Sequence, residues 1–227
     1  MIFKRLFGFD MRNGKDPRTV SGNNIEISIP ALNMFVVTDL HSCYYEDMEI
    51  IREAMEENDF DCVLFLGDIF REDVEKIVGY ANEKPCYYAL GNHDGSHQNE
   101  NIQGLENIDG EVIDINGVCI AGLSCGPRYK SGDYAMRTEK EMEEIANKLG
   151  RSDILVSHES PYHFMSETRS HGGFKAISDY ISRIQPQLHI FGHHHDRFEG
   201  TYEKTKEICI YKCAIISTSP FSIKYVL

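Results

Sequence analysis

No stretch of this sequence is hydrophobic enough to cross a membrane. A transmembrane helix needs about 18 or more consecutive apolar residues, and no apolar run here approaches that length. Residues 1–9 mix basic and apolar side chains, but their apolar block is too short for a secretory signal, and no small-residue cleavage site follows it. We therefore expect no transmembrane segment and a cytoplasmic location.

Positive charge is scarce in the chain. It has 23 Lys and Arg residues against 36 Asp and Glu residues, which gives a formal net charge of -13. Such a surface repels polyanions, because duplex nucleic acid is held mainly by contacts between basic side chains and many phosphates. We expect no stable binding of duplex nucleic acid, whereas a small phosphorylated substrate is compatible with the composition.

The cysteines lack the pairing expected of a disulfide framework. Their number is odd, no Cys-x-x-Cys pair occurs, and several lie in apolar runs. Reduced thiols, which are typical of a cytoplasmic protein, fit this pattern better. The seven residues are Cys43, Cys62, Cys86, Cys119, Cys125, Cys209 and Cys213.

The sequence also lacks internal repeats, low-complexity tracts and a recognisable linker. A chain of 227 residues can bury a large core, and one domain is the expected arrangement. Residues 12–24 are polar and rich in turn-forming residues, and Ile25, Ile27 and Ile29 alternate in the manner of a short strand. We interpret residues 1–33 as an N-terminal arm and residues 34–227 as the domain.

Three apolar runs at the start of this domain, residues 34–38, 62–66 and 86–90, predict buried strands. Between them, apolar side chains at helical spacing predict two helices that face the core. These side chains are Met48, Ile51 and Met55 in the first helix and Val74, Ile77, Val78 and Ala81 in the second. Alternating strands and helices predict parallel strands with right-handed crossovers. The loops that follow the three strands therefore share one edge of a sheet.

The rest of the chain is predicted to contain a larger share of strands. Asn116-Gly117 is typical of a two-residue hairpin turn, and Thr138 with Glu141 predicts the capped start of a helix. A later helix is expected to end before Pro186, which cannot continue it. Apolar runs predict strands at residues 111–115, 118–123, 154–157, 188–191, 208–211 and 214–217.

Five of the predicted strands end directly in side chains of the kind that bind metal ions. These side chains belong to Asp39, His41, Asp68, Asn92, His158, His193 and His195. Carboxylate, amide and imidazole ligands without thiolates suit Mn²⁺, Fe or Zn²⁺. Seven ligands exceed what one ion takes from a protein, so two divalent ions about 3.5–4 Å apart with a shared carboxylate are the economical interpretation.

Each of these residues also has a purely structural interpretation. Asp39 or Asn92 would cap a helix that follows it, and His158 would be a buried histidine whose hydrogen bonds are satisfied. A histidine-rich turn at a surface, such as residues 193–195, is common and often binds nothing. The repetition of one pattern at five strand ends makes a shared metal site the preferred interpretation.

Taken in order, these residues resemble the five motifs of the calcineurin-like metallophosphoesterases. The motifs are Asp39-x-His41, Gly67-Asp68, Gly91-Asn92-His93-Asp94, His158 and Gly192-His193-x-His195. The resemblance implies an α/β fold, namely a four-layer αββα sandwich of two mixed sheets with a two-metal site at the strand ends. It also implies two ligand sets: Asp39, His41, Asp68 and His195 for one ion, and Asp68, Asn92, His158 and His193 for the other. Asp68 would bridge the ions.

Such a site predicts hydrolysis of a phosphoester. Two cations lower the pKa of a bridging water, so a hydroxide would attack phosphorus while the same cations neutralise the phosphoryl oxygens. The leaving oxygen then needs a proton, and His93 is the candidate general acid, a role that the resemblance implies for the matching histidine. Asp94 is expected to hold the ring of His93. The alternative is that His93 only orients a ligand.

One departure from the family pattern bears on the substrate. Many relatives carry a second aspartate where this chain has Arg71, and the Asp-Arg-Gly continuation typical of protein serine/threonine phosphatases is absent. The motif set resembles small bacterial phosphodiesterases of the cyclic-nucleotide type more closely. We therefore favour a small phosphodiester, such as a nucleotide, over a phosphomonoester. A nuclease of the same family and a non-catalytic binding or scaffold module on this fold are the alternatives.

Two segments are candidates for contacts with the substrate. In residues 126–130, Arg128 would clamp a phosphate and Tyr129 would stack on a base. An ordinary exposed basic loop is the equally weighted alternative. His171 precedes a predicted helix whose first backbone amides would receive an anion, and an exposed loop histidine is the alternative there.

Overall fold

The computed structural model describes residues 25–41, 43–164 and 172–227. In this part of the chain two six-stranded sheets lie face to face, and α-helices cover their outer surfaces. The predicted four-layer αββα sandwich of two mixed sheets is confirmed. Most of the predicted N-terminal arm, residues 1–24, and His171 lie outside the described residues.

The first sheet carries three of the strands that end in predicted ligands. Its members are β1 (Asn33–Thr38), β2 (Cys62–Phe65), β3 (Cys86–Tyr88), β4 (Leu105–Asn107), β13 (Lys212–Thr218) and β14 (Phe221–Tyr225), in the spatial order β14-β13-β1-β2-β3-β4. Strands β1, β2 and β3 run parallel, as the alternation with helices α1 (Tyr45–Glu57) and α2 (Arg71–Tyr80) predicts, and β4 adds a fourth parallel strand that was not predicted. Strands β13 and β14 extend this sheet in antiparallel fashion.

The second sheet carries the other two ligand-bearing strands. Its members are β5 (Val112–Ile115), β6 (Val118–Leu123), β9 (Ile154–Ser157), β10 (Leu188–Phe191), β11 (Phe198–Tyr202) and β12 (Thr205–Cys209), in the spatial order β11-β12-β10-β9-β6-β5. The four central strands run parallel, and both outer strands are antiparallel to their neighbours. Helices α3 (Glu139–Ala146) and α4 (Lys175–Ile184) cover the outer face.

Shorter elements join these layers. Asn116 and Gly117 have φ angles of 55° and 82° and form the predicted turn between β5 and β6. Thr138 and Glu141 form the predicted capping box at the start of α3. A two-stranded ladder pairs β7 (Gly126–Pro127) with β8 (Met136–Arg137), and a 3₁₀-helix covers Tyr162–Phe164.

Strand β1 illustrates how the core is divided. Its side chains alternate between the two faces of the sheet, so Phe35 and Val37 pack against α1 and α2 while Met34 and Val36 pack against the second sheet. All four side chains are fully buried. A strand covered on both faces reads as a continuous apolar run, which is why β1 was recognisable in the sequence.

The structure differs from the sequence predictions in two places. Ile25, Ile27 and Ile29 do not form a strand, although Ile29 is buried and Ile27 packs against the layer between the sheets. Pro30 follows them and has no N–H for a strand ladder. The second difference concerns β4, β7, β8, β11 and β14, which were not predicted; these strands are short or only partly buried and give no apolar run. The boundary at residue 33 stays a prediction.

The described helices are short. The longest, α1, has 13 residues, and within residues 25–41, 43–164 and 172–227 no helix is long and apolar enough to span a membrane. The buried residues of α1 are the predicted Met48, Ile51 and Met55.

The seven cysteines are all free thiols.

Candidate metal centre

The predicted ligands converge at the carboxyl ends of five strands. Strands β1, β2 and β3 end just before Asp39, Asp68 and Asn92, and strands β9 and β10 of the other sheet end just before His158 and Gly192. Because parallel strands deliver their loops to one edge, side chains from both sheets meet there. The chain thus builds one site from segments more than 150 residues apart.

One group of side chains consists of Asp39, His41 and His195, which we call the Asp39 group. Their ligand atoms lie within 4.8 Å of one another. The two imidazole Nε2 atoms of His41 and His195 are 2.8 Å apart, and His195 Nε2 is 3.4 Å from Asp39 Oδ1. Two nitrogens and one carboxylate oxygen that face a single point are a ligand set for a borderline divalent cation.

The second group consists of Asp68, Asn92, His158 and His193, which we call the His158 group. His158 Nε2 is 3.0 Å from Asn92 Oδ1, 3.1 Å from His193 Nδ1 and 3.6 Å from Asp68 Oδ2. The Nδ1 atom of His158 lies 2.7 Å from the carbonyl oxygen of Leu66, which can only accept a hydrogen bond. Nδ1 therefore carries the proton, and Nε2 offers its lone pair to the group.

Asp68, a member of the His158 group, also faces the Asp39 group. Its Oδ2 atom is 3.6 Å from His158 Nε2 and 3.8 Å from His41 Nε2. Its Oδ1 atom accepts a 2.8 Å hydrogen bond from the backbone N–H of His93. One oxygen of this carboxylate therefore faces both groups, which is the position that a bridging ligand requires.

The loops that carry these ligands have unusual backbone conformations. Five predicted ligands have a positive φ, namely Asp39 at 51°, His41 at 43°, Asp68 at 56°, His193 at 71° and His195 at 52°. Left-handed conformations at non-glycine residues are uncommon and cluster at functional sites. Backbone hydrogen bonds join two of the loops, because Asp39 N–H donates to Gly67 O and His41 N–H donates to Asp68 O. Each loop thus holds its neighbour in place.

At two glycines of the motifs, the backbone lies too close to a carboxylate of another loop for any side chain to fit. A Cβ atom on Gly91 would overlap the Asp68 carboxylate, and a Cβ atom on Gly192 would overlap Thr38 and the Asp39 carboxylate. No larger residue fits beside these carboxylates without moving them. The glycines therefore let the backbone of one loop pack against the ligand of another.

The charges of the Asp39 group fit a bound cation. Asp39 Oδ1 is buried and has no hydrogen-bond partner in the described part of the chain. Burial alone would raise the pKa of Asp39, but the nearby His195 and His158 imidazoles and the hydrogen bond that the Thr38 hydroxyl donates to Oδ2 lower this pKa to about 2. An ionised, buried oxygen without a partner is costly. A divalent cation facing His41 and His195 would supply the partner.

The electrostatic environment of His158 supports the same fit. Burial opposes the charged form of this imidazole, yet the carboxylates of Asp68, Asp39 and Glu159 raise its pKa to about 9. Negative charge therefore accumulates around a buried nitrogen ligand. Divalent cations bound by N and O ligands would neutralise that charge.

His93 lies at the cavity beside the ligands. It is exposed, and its ring is edge-on to the ring of His41 with the ring centroids 5.3 Å apart. The cavity has a volume of about 410 Å³ and is lined by Asp68, Asn92, His93, Tyr129, His193, His194 and His195. The imidazole ring of His93 is therefore positioned to contact a molecule bound next to the predicted ligands.

Asp94 does not have the predicted contact with the ring of His93. One carboxylate oxygen accepts hydrogen bonds from the backbone N–H groups of Asp68 and Gly91, and the other accepts from Ile69 N–H and the Gln98 side chain. Burial, followed by the charge of Asp68, raises the pKa of Asp94 to about 6. Its role in the structure is to hold the two loops together.

Of the two substrate contacts predicted in residues 126–130, only Tyr129 lies at the cavity beside the ligands. Tyr129 lines the cavity, and its hydroxyl oxygen is 3.3 Å from Asn92 Nδ2. The Arg128 guanidinium instead bonds Met136 O and Glu141 and lines a different cavity. The two adjacent side chains therefore lie at different cavities.

The predicted anion site at the start of α4 is also not available. The backbone N–H groups of Lys175 and Ala176 donate to the Glu139 carboxylate, at 3.2 and 2.7 Å. A side chain of α3 therefore already serves as the acceptor for these amides. His171, the third predicted contact, lies outside the described residues.

Sequence reasoning missed one residue of the site, Glu159. Its side chain is fully buried, and its Oε2 atom is 3.3 Å from His193 Nε2. Burial raises the pKa of this carboxyl group to about 7. Its place directly after His158, at the end of an apolar strand, was the available signal, because a buried acidic side chain needs a specific partner.

Comparison with known proteins places this site in a family. A family model described as calcineurin-like phosphoesterase matches residues 32–197. The fold is similar to the protein TT1561 of Thermus thermophilus, with a TM-score of 0.59 at 10% identity over 87% of this chain and 100% of that one. It is also similar to the phosphopantetheinyl hydrolase of Mycobacterium tuberculosis, with a TM-score of 0.56 at 10% identity over 79% and 89% of the two chains.

A third similar structure is described as a novel archaeal phosphodiesterase, with a TM-score of 0.52 at 13% identity over 85% of this chain and 98% of that one. No curated protein matches the chain. At these identities the solved structures show the shared fold, whereas the match of the family model covers all seven predicted ligands up to His195. The chain therefore belongs to the calcineurin-like phosphoesterase family, a family of metal-dependent phosphoesterases.

Proposed function

We propose that this protein hydrolyses a small phosphodiester, such as a nucleotide, at a centre of two divalent cations. The observation that carries the proposal is the position of Asp68 Oδ2, 3.6 Å from His158 Nε2 and 3.8 Å from His41 Nε2. Two cations at such a site would supply charge that activates water and neutralises the phosphoryl oxygens. The residues of the chain then bind and orient the ester and deliver a proton.

The assignment of ligands follows the two groups. The Asp39 group with Asp68 would hold one cation, and the His158 group would hold the other. Mixed imidazole and carboxylate ligands suit Mn²⁺ or Fe and also accept Zn²⁺. Asp68 would serve both cations, which is consistent with its single oxygen facing both sets of nitrogens.

We assign proton delivery to His93. The hydrogen bond from its own backbone N–H to Asp68 Oδ1 fixes the loop, and its exposed ring lines the cavity beside the ligands. A leaving oxygen bound there would lie within reach of an imidazole N–H. His93 is thus the general acid of the proposed reaction, and Asp94 acts on it only through the loop backbone.

The cavity and the charge favour a small substrate. A volume of about 410 Å³ is in the range of small-molecule sites and holds a mononucleotide-sized ester. The net charge of -13 disfavours a long polyanion. The fold is shared with a protein described as an archaeal phosphodiesterase, so a diester substrate is compatible with it.

The proposal is tested by comparing two artificial esters. After chelation and re-addition of Mn²⁺, the protein is expected to hydrolyse bis-p-nitrophenyl phosphate faster than p-nitrophenyl phosphate. The control is the same assay with chelator present throughout, in which neither ester should react. Faster hydrolysis of the monoester would replace the diester proposal with a phosphatase. Two bound Mn²⁺ ions without any turnover would favour the non-catalytic module.

Tyr129 is predicted to bind the organic group of the ester. The residue is 43% exposed and lines the cavity, and stacking on an aromatic ring contributes about 1–3 kcal/mol per base. We expect Tyr129→Ala to raise KM for a nucleotide or aryl diester by roughly 5- to 140-fold, because about 1.4 kcal/mol corresponds to a factor of 10. Tyr129→Phe should keep most of the affinity, since the ring remains.

The matched control for Tyr129 is Tyr134, which lies in the same segment and is 40% exposed but lines the other cavity. Tyr134→Ala should leave KM within about twofold. Steady-state kinetics on Tyr129→Ala, Tyr129→Phe and Tyr134→Ala measures these changes in KM. If Tyr129→Ala and Tyr134→Ala gave the same KM as the unmodified protein, Tyr129 would have no part in substrate binding.

A further inference from the structure

Glu159 is a buried carboxylate next to the metal centre, and neither ligand group includes it. Its Oε1 atom accepts hydrogen bonds from the backbone N–H and the hydroxyl of Ser160, at 2.8 and 3.1 Å. The hydroxyl of Ser157 donates to the Glu159 carbonyl oxygen at 2.7 Å. These contacts fix the side chain and leave Oε2, which is buried and has no hydrogen-bond partner among the residues described.

That oxygen points at one nitrogen of His193. The Glu159 Oε2 atom is 3.3 Å from His193 Nε2, and both side chains are almost fully buried. On the other side of the same ring, His193 Nδ1 is 3.1 Å from His158 Nε2, inside the His158 group. The backbone N–H of His193 donates to Asp39 Oδ2 at 2.8 Å. The imidazole is therefore held between a carboxylate and the ligand group.

The two nitrogens of His193 have opposite tasks in this arrangement. A histidine binds a metal through a nitrogen without a proton, and the other nitrogen commonly donates its N–H to a carboxylate or carbonyl. Here a carboxylate oxygen faces Nε2, and the ligand group faces Nδ1. A proton on Nε2 directs the lone pair of Nδ1 towards the cation.

We propose that Glu159 is a positioning residue that holds the proton on His193 Nε2 and thereby sets the cation affinity of the His158 group. This inference rests on the proposed metal centre. In the described ranges, each ligand group contains atoms that lie within 4.8 Å of one another, and the carboxylate oxygens of Glu159 belong to neither set. Glu159 therefore acts through His193 and leaves the Asp39 group unaffected.

The Glu159 carboxylate is not expected to stabilise the metal-free protein. Burying a charge costs free energy, and at Glu159 only Ser160 donates hydrogen bonds to it. Replacing this carboxyl group by an amide of the same shape is therefore expected to leave the stability of the metal-free protein unchanged or higher, because Oε2 has no hydrogen bond to lose in the described residues, while metal binding becomes weaker. A residue with a purely structural role would behave in the opposite way, because its loss would destabilise the protein with and without metal.

Glu159→Gln is the informative variant, since glutamine keeps the shape of the side chain. With its oxygen on the Ser160 N–H, its NH₂ group would face His193 Nε2, and a donor there disfavours the proton on Nε2. Changes to such carboxylate partners cost about 10- to 100-fold in metal affinity. We expect one of two Mn²⁺ binding events to weaken by that factor and the other to stay within about threefold.

The matched control is Glu207→Gln. Glu207 is also a buried glutamate paired with a histidine, because its Oε1 atom is 2.8 Å from His163 Nε2, but His163 belongs to neither ligand group. This variant should bind both Mn²⁺ ions as the unmodified protein does. Calorimetric titration with Mn²⁺ measures both events, and thermal unfolding in chelator measures the stability of the metal-free proteins.

The outcomes separate this inference from the proposed function. Selective loss of one Mn²⁺ event in Glu159→Gln, with unfolding in chelator at an unchanged or higher temperature, supports the positioning role. Two unchanged events, or equal weakening of both events together with a lower unfolding temperature in chelator, would overturn it while the metal centre stands. If the unmodified protein bound no Mn²⁺, the proposed function would fail and this inference with it.

Discussion

Asp68→Ala is expected to lose both cations and at least about a thousandfold in hydrolysis rate, because a bridging carboxylate serves two metal ions at once. The structure places Asp68 Oδ2 within 4 Å of a histidine nitrogen in each group, His41 and His158. Loss of one shared ligand therefore weakens two sites. Metal content after dialysis against Mn²⁺, measured together with the rate on bis-p-nitrophenyl phosphate, checks the prediction.

Asp73→Ala is the control for this experiment. Asp73 is a buried aspartate five positions further along, whose carboxylate pairs with Lys76 at 2.9 Å on the surface of α2. This variant should keep both cations and most of its activity. Full occupancy by two Mn²⁺ ions in Asp68→Ala would contradict a bridging role, and loss of metal in both variants would point to a general effect on folding.

His93→Ala is expected to lower kcat by about 10²- to 10⁴-fold on diesters with alkoxide leaving groups, the range typical of a lost general acid. p-Nitrophenyl esters should be much less affected, because p-nitrophenolate leaves without a proton. The ring of His93 lines the cavity, and His93 belongs to neither ligand group, so metal content should not change. Rates on the two kinds of ester, with metal analysis of the same preparation, measure the effect.

His97→Ala is the control for the general acid. His97 is an exposed histidine four positions further along, and its Nδ1 atom pairs with Glu100 at 2.7 Å. Its removal should leave both rates unchanged. If His93→Ala slowed both kinds of ester equally and also lost metal, His93 would be an orienter of the ligands, and unchanged rates on alkyl diesters would remove it from the reaction.

The parts of the site that could be predicted are those encoded by local pattern. A buried strand is a short apolar run, and a ligand such as Asp39 or His158 follows it at once. The parallel order of β1, β2 and β3 then follows from chain connectivity. These two facts bring ligands from distant segments to one edge without any knowledge of side-chain contacts.

The parts that could not be predicted depend on contacts between distant segments. Arg128 had a suitable residue type for a phosphate, but Glu141 on α3 pairs with it. Asp94 is next to His93 in sequence, but backbone amides of the loop after β2 occupy its oxygens. The role of Glu159 depends on His193, 34 positions away. Sequence spacing does not encode such competition between partners.

In the proposed metal centre, Asp68 would bind two cations, one on either side of its carboxylate. The most direct measurement is anomalous diffraction from crystals soaked in Mn²⁺. Two peaks about 3.5–4 Å apart are expected, one against the Asp39 group and one against the His158 group, with Asp68 Oδ2 between them. A single peak at saturating Mn²⁺, or two peaks of which only one contacts Asp68, would contradict the shared two-metal centre.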